Sequence, residues 1–298
     1  MKILVTGKNG QLGSDVLDEL KNRQVKNNLA DGDIIIGVGR EDFDLENSEP
    51  LIGYITELRP DVIIHCAAYT AVEKAEIEHN KCRLINVTST KNIARACKTI
   101  NCKMVYISSD YVFSGEGSKP YEVYDAAYPI NIYGQSKWEG ENEVKRQLDE
   151  HFIIRISWVY GQYGNNFVKS MLKLASTPDL PTGKKRSEIR VVNDQVGSPT
   201  YTKDLARLIA DMIVTDKFGT YHATNEGYCS WAEFAQEIFN FTNTIISVKP
   251  ISTDEFQTKA RRPKNSRLSK RSLDIAGFSR LPDWKDALRR FLINELIH

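Results

Sequence analysis

An α/β fold built on a doubly wound parallel sheet is predicted for this chain of 298 residues, and three observations predict it. Its first residues, Met1-Lys-Ile-Leu-Val-Thr, form an apolar strand that runs straight into a glycine loop, Gly7-Lys-Asn-Gly10-Gln-Leu-Gly13. Apolar strands then alternate with segments of helical periodicity as far as residue 157. Those strands are continuous apolar runs, which is the pattern of a parallel sheet covered by helices on both faces. The fold is therefore Rossmann-type, with a smaller, mixed α/β C-terminal domain where the rhythm changes after residue 160.

The elements follow in order. Lys2–Thr6 is strand one, and residues 12–22 have helical spacing. The polar stretch 22–33 reads as a loop, long for a βα unit. Ile34–Val38 is strand two, 50–59 a helix opened by a proline, and 61–65 strand three. Helical periodicity runs from 74 to 100, across a break. Residues 103–108 form a strand, 133–147 a helix and 152–157 a strand. Beyond 160, residues 166–175 are helical, and 177–188 is a loop rich in Pro, Gly and Lys. Residues 202–215 form a helix capped by a hydroxyl. Trp231–Phe241 follows Ser230, with Glu233 three residues on, which is the pattern of a capping box. An arginine-rich segment, 256–268, and an amphipathic helix, 283–296, complete the chain. The expected division is a first domain over 1–160, rejoined by part of 189–225, and a second over 161–188 and 226–298.

Composition limits the function classes. With 40 basic and 39 acidic residues the net charge is +1, so no global field recruits nucleic acid or an anionic membrane surface. No apolar run reaches the roughly 18 residues of a spanning helix. The chain starts on a core strand with no leader pattern. Five cysteines, Cys66, Cys82, Cys97, Cys102 and Cys229, form no CxxC pair and sit mostly in apolar segments, so they read as reduced thiols of a cytoplasmic protein. Histidines and carboxylates show neither HExxH nor an EF-hand loop, and no metal site is expected from spacing.

The glycine loop is shaped for a dinucleotide pyrophosphate. Gly7 permits the tight turn out of the strand, Gly10 lets backbone approach the phosphates, and Gly13 lets the helix pack closely. Asn9, Gln11 and Leu12 complete the loop. Strand three ends Cys66-Ala67-Ala68-Tyr69, small residues against which a cofactor can lie. Strand two ends in Gly39 and Arg40. An arginine there suits a 2′-phosphate and favours NADPH, whereas the neighbouring Glu41 and Asp42 would select NADH.

A second constellation lies downstream. Tyr133 and Lys137 stand four apart, on one helical face. A free phenol has a pKa of about 10, and an ammonium this close lowers it by roughly 1–3 units. Tyr133 would then act as acid or base, with Lys137 also reaching the nicotinamide ribose. The strand at 103–108 ends in two hydroxyls, Ser108 and Ser109, which alternation sends to opposite faces. One of them can orient a substrate oxygen. Glycine loop, strand-end serine and YxxxK stand in the order seen in extended short-chain dehydrogenases/reductases.

Over nearly its whole length the chain resembles the dTDP-4-dehydrorhamnose reductase family. The matching segments are GKNGQLG at 7–13, RPDVIIHCAAYTAVEKAE at 59–76, SSDYVF at 108–113 and INIYGQSKWEGE at 130–141. They continue with IRISWVYG at 154–161, GNNFVKSML at 164–172, VVNDQVGSPT at 191–200 and ARRPKNSRL at 260–268. The resemblance implies a sugar-nucleotide domain after the dinucleotide-binding one. It also implies NADPH-dependent (or NADH-dependent) reduction of a dTDP-linked 4-keto-6-deoxy sugar, by a monomer or homodimer. Ser109, Tyr133 and Lys137 would be the catalytic set. Asp110, Tyr111 and Trp158 would border the sugar, Asn165 and Asn166 hold it, and Arg261 and Arg262 meet its diphosphate. Some members dimerise through Mg²⁺, and Asp15 stands where they carry a glutamate; a first-turn aspartate that favours the helix dipole is the plainer account. Two alternatives keep the same fold. One is a nucleotide-sugar epimerase or dehydratase; the other is a non-catalytic subunit similar to the regulatory subunit of methionine adenosyltransferase.

Overall fold

A computed structural model describes residues 1–25, 32–178, 183 and 186–296. Strands β1 (Lys2–Thr6), β2 (Ile34–Val38), β3 (Val62–His65), β4 (Lys103–Ser109), β5 (His151–Ile156) and β6 (Gly219–His222) form one sheet in the order β2-β1-β3-β4-β5-β6. Every neighbouring pair in it is parallel. Pleat alternation sorts the side chains of β1: Ile3 and Val5 join one apolar cluster, and Leu4 joins the other. On the first face α1 (Gln11–Val25) packs beside α6 (Thr202–Met212). On the second lie α2 (Glu49–Leu58), α3 (Ser89–Ile100) and α4 (Ile132–Gln147), with Ile55, Ile93 and Val144 fully buried. Each such side chain contributes on the order of 1.5–3 kcal/mol to folding.

A second core is built from α5 (Phe167–Ser176), α7 (Trp231–Phe241) and α8 (Trp284–Phe291), around Tyr160, Phe234 and Phe291. Strand Glu188–Val192 pairs in parallel with Ser247–Ile251 beneath α7. The Ser230–Glu233 capping box of α7 is formed in both directions.

Several boundaries differ from expectation. The periodic stretch 74–100 is divided into Val72–Ala75, His79–Arg83, a π-turn at Leu84–Thr88, and α3. β4 runs one residue further, to Ser109. α1 continues to Val25, and residues 26–31 of the expected 22–33 loop lie outside the described residues. So do 179–182 and 184–185 of the 177–188 loop. The final helix is α-helical only over Trp284–Phe291, then continues as a π-turn at Leu292–Leu296. All five cysteines are free thiols. Among the described residues no helix is long and apolar enough to cross a membrane.

Candidate active site

The chain leaves β1 for β2 on one side and returns through β3 on the other, so a crevice opens at the carboxyl ends of β1 and β3. Gly7 turns there with φ +76°, and a Cβ on it would lie 2.9 Å from the Ala67 nitrogen. A Cβ on Gly13 would lie 2.1 Å from the Gly7 oxygen, so α1 closes directly on the loop. The two loops are tied together by Thr6. Its hydroxyl accepts from Ala67 N–H at 3.2 Å and bonds His65 Nδ1 at 2.8 Å. A helix N-terminus closed on a glycine turn, with no Cβ at Gly7, Gly10 or Gly13, fits a pyrophosphate.

The side chains of the loop are engaged elsewhere. Leu12 belongs to the core, and Gln11 accepts from Asn166 Nδ2 at 3.0 Å. Asn9 donates to Glu41 at 2.8 Å, and Lys8 donates to Asp42 at 2.6 Å. Both acidic groups at the end of β2 therefore turn toward the glycine loop. Glu41 is held below the usual carboxylate range by a backbone hydrogen bond and by Asn9, and Asp42 by Lys8. Arg40 points outward, with its side chain 75% exposed and 3.5 Å from Glu46.

Sequence reasoning missed Asn86. It accepts from Tyr69 N–H at 2.8 Å, donates to the Tyr69 carbonyl at 3.0 Å and reaches Ser136 at 2.9 Å. One buried amide thus fixes the Cys66-to-Tyr69 backbone against α4. Its only signal in the sequence is a polar residue on the apolar side of a helical stretch. Tyr69 is pinned further, its hydroxyl donating to Glu78 at 2.9 Å. Burial pushes the Cys66 thiol up to about 12 and the His65 imidazole down to about 3, so both are neutral.

The two strand-end serines part as alternation requires. Ser108 donates to Glu141 beneath α4 at 2.6 Å. Ser109 faces the other way, accepting from Tyr111 N–H at 3.2 Å and donating to Asp110 at 2.9 Å, and its hydroxyl acts to lower the Tyr133 phenol. Tyr133 stands in the first turn of α4, which Asn131 caps by accepting from Gly134 N–H at 2.7 Å. The Tyr111 ring meets it edge-on at 5.6 Å.

The expected lowering of the Tyr133 phenol is not found. Burial, followed by the Asp110 charge, pushes it above its ordinary value. Lys137 is 2% exposed, and its Nζ lies 4.1 Å from the centre of the Tyr106 ring. Burial lowers the ammonium to about 7. A lysine whose charged form burial disfavours is a weaker acidifier than the spacing alone suggests. Asp110 is buried as well, and this raises its carboxyl to about 6.

Of the substrate-side candidates, Trp158 adopts φ +49° and stacks on Trp231, with centroids 3.7 Å apart. Asn166 is not free to hold a sugar. It caps α5 through Lys169 N–H at 3.0 Å and donates to the Gly161 carbonyl at 2.8 Å as well as to Gln11. Asn165 is exposed beside it. Arg262 pairs with Glu73 at 2.9 Å. Arg261 is exposed, and its carbonyl accepts from Asn131 Nδ2 at 2.8 Å. A cleft of about 600 Å³ runs past Gly115, Ile130, Phe256, Arg261, Arg262 and Lys264.

Asp15 does not serve a dimer-interface Mg²⁺. Its carboxylate is buried between α1 and α6, bonded by the Thr202 hydroxyl, and burial raises it to about 6. A group so enclosed cannot meet a second chain.

Comparison with known proteins adds a family and several relatives. A family model described as RmlD substrate binding domain matches residues 1–297. The spore coat polysaccharide biosynthesis protein SpsK of Bacillus subtilis is 38% identical, over 98% of this chain and 96% of its own. A dTDP-4-dehydrorhamnose reductase of Sinorhizobium fredii is 37% identical over 98% and 97%. The crystal structure of a dTDP-4-dehydrorhamnose reductase from Bacillus anthracis, in complex with NADP, superposes with a TM-score of 0.90 at 42% identity, covering 98% of this chain and 99% of that one. A UDP-glucose 4-epimerase from Thermus thermophilus, at 18% identity and a TM-score of 0.80, shares the fold.

Proposed function

Because the chain belongs to the family described as the RmlD substrate binding domain, we propose that it reduces the 4-keto group of dTDP-6-deoxy-L-lyxo-4-hexulose to give dTDP-L-rhamnose, using NADPH. The observation that carries the reading is the convergence of Ser109 and Tyr133 on Tyr111 at the end of β4, where the Tyr111 N–H donates to Ser109 and its ring meets that of Tyr133 edge-on at 5.6 Å, together with the glycine cradle at the end of β1. Backbone of Gly7, Asn9, Gly10, Gln11, Leu12 and Gly13 holds the pyrophosphate, and Cys66, Ala67, Ala68 and Tyr69 present the wall opposite. NADPH, when bound, supplies the hydride that the keto carbon receives. Ser109 orients the carbonyl by turning its hydroxyl proton from Asp110 to the substrate oxygen. Tyr133, kept protonated at neutral pH by burial, gives its proton to that oxygen as charge develops there. Lys137 steadies the phenolate left behind and binds the ribose hydroxyls. Asp110, Tyr111, Trp158 and Asn165 border the sugar, and Arg261 and Arg262 meet its diphosphate.

The test is an assay of purified protein with NADPH and the dTDP- and UDP-linked keto sugars side by side. One NADPH should be consumed per dTDP-sugar reduced. Sugar turnover without net consumption, or none at all, would sink the reading.

NADPH should be used better than NADH, and Arg40→Ala should erode the preference. The substitution removes a charge-assisted hydrogen bond to the 2′-phosphate of about 1.5–3 kcal/mol, taken at its lower end because Arg40 is so exposed. Equal efficiency with NADH in the parent protein would hand the pocket to Glu41 and Asp42.

Arg262→Ala should raise KM for the sugar nucleotide with little change in kcat, because a diphosphate is bound alike in ground and transition states. It should also lower stability by up to about 1 kcal/mol as its pair with Glu73 disappears. Glu73→Gln isolates that second effect. If it reproduces the whole kinetic change, Arg262 only anchors its loop.

A further inference from the structure

The buried pair beneath α4 takes no part in the chemistry described so far. Glu141 is fully buried. Its Oε1 accepts from Ser108 Oγ at 2.6 Å and Arg155 Nε at 2.8 Å, and its Oε2 accepts from an Arg155 terminal nitrogen at 2.7 Å. Arg155 is itself enclosed, donating to the Val123 carbonyl at 3.1 Å and lying 5.0 Å from the Phe113 ring centre. A buried ion pair is a weak source of stability, since apolar residues of similar volume do as well. Its place is more telling. Glu141 stands one helical turn after Lys137, on the same face. Gly140 brings that face hard against β4: a Cβ there would lie 2.3 Å from the Tyr106 hydroxyl.

The groups that face Lys137 are Glu141, one turn on along its own helix, the thiols of Cys82 and Cys66, the neutral His65, and the Tyr106 ring, with Tyr133 one turn before it on the same helix. Glu141 is the one carboxylate among them. Ser108, which fixes it, directly precedes Ser109, so one strand end orients both the substrate hydroxyl and the buried charge.

We infer that Glu141 is a positioning residue for the reaction: a carboxylate locked by Ser108 and Arg155 that keeps Lys137, one helical turn after Tyr133, an ammonium. The role rests on the proposed reductase reading for its kinetic consequence. Its effect on Lys137 stands apart from it. Burial alone drives Lys137 toward the neutral form, and Glu141 opposes this. Without that charge the ammonium is lost at lower pH, and proton donation by Tyr133 weakens from there upward.

Glu141→Gln should move the alkaline limb of the kcat profile to lower pH by about one to three pH units, the range for loss of one close opposite charge. NADPH affinity, read by fluorescence titration across pH, should weaken over the same lowered range. Glu141→Asp should restore part of both. Glu141→Gln combined with Arg155→Met leaves no buried cation stranded, so it reads the idea even if the single variant does not fold; the limb should stay displaced. Ser108→Ala, which strands no charge, should shift it slightly the same way. A lowered Tm with unmoved profiles, or a double variant returned to the parent profile, would overturn the inference and leave Glu141 as the partner of Arg155. If the parent protein binds NADPH but reduces no keto sugar, the reductase reading fails, while the affinity profiles still decide the role of Glu141.

Discussion

Tyr133→Phe is expected to slow ketone reduction by roughly 10²–10⁴-fold, the span for removing a general acid. The ring is retained, so its edge contact with Tyr111 and its place in the first turn of α4 survive, and the fold should not change. What goes is one hydroxyl, the proposed proton donor. NADPH binding should barely alter, because that contact is assigned to Lys137 and backbone. Single-turnover rates and cofactor titrations measured together check both halves. The competing acid is Asp110, whose carboxyl burial raises to about 6 and which accepts from Ser109 at 2.9 Å. Were it the donor, the rate would fall as pH rises through about 6, and Tyr133→Phe would be nearly normal. Asp110→Asn then becomes the slow variant. A phenol pushed above its usual value predicts no fall at pH 6: the rate declines only where Lys137 loses its proton, at about 7.

Legibility followed the range of the interactions. The glycine loop, the alternation of the first five strands and the split of Ser108 from Ser109 are local, set by spacing along one strand or one helical turn, and a sequence displays them directly; the sixth strand, Gly219–His222, was not read. The Tyr133–Lys137 spacing was equally plain, yet the electrostatics attached to it were not. That depended on Tyr106 and Glu141 packing round the lysine and on Asp110 packing beside the phenol, contacts set by tertiary packing. Asn86 stayed hidden for the same reason, as its partners lie 17 and 50 residues away. Arg155 could have been suspected, because a charge inside the apolar run Phe152-Ile-Ile-Arg-Ile must find a partner or raise the energy of the core. Asn166 was misread because an asparagine before a helix is first of all a cap, and its amide was already committed there. Family resemblance supplied a role for it that local chemistry withholds.

The glycine loop permits a sharper separation of fold from function, in two substitutions three residues apart. At Gly13 an added methyl would sit 2.1 Å from the Gly7 oxygen and 2.7 Å from the Gly7 carbon, both backbone. Nothing there can rotate away. α1 must lift from the loop, and overpacking of this kind costs about 1–3 kcal/mol. Gly13→Ala should therefore lower stability and abolish nearly all NADPH affinity together. At Gly10 the nearest atom to an added methyl is the Gly7 oxygen at 3.2 Å, and Gly10 is not among the residues at positive φ. The Gly7 oxygen need give by only a few tenths of an ångström there, so Gly10→Ala should lower stability much less than Gly13→Ala. Its methyl instead stands where a pyrophosphate approaches backbone, so affinity should fall about 10-fold or more, some 1.4 kcal/mol. Thermal unfolding beside cofactor titration measures the contrast. Equal loss of stability in both variants would mean that the loop is one rigid unit. Normal NADPH affinity in folded Gly10→Ala would move the pyrophosphate away from this loop altogether.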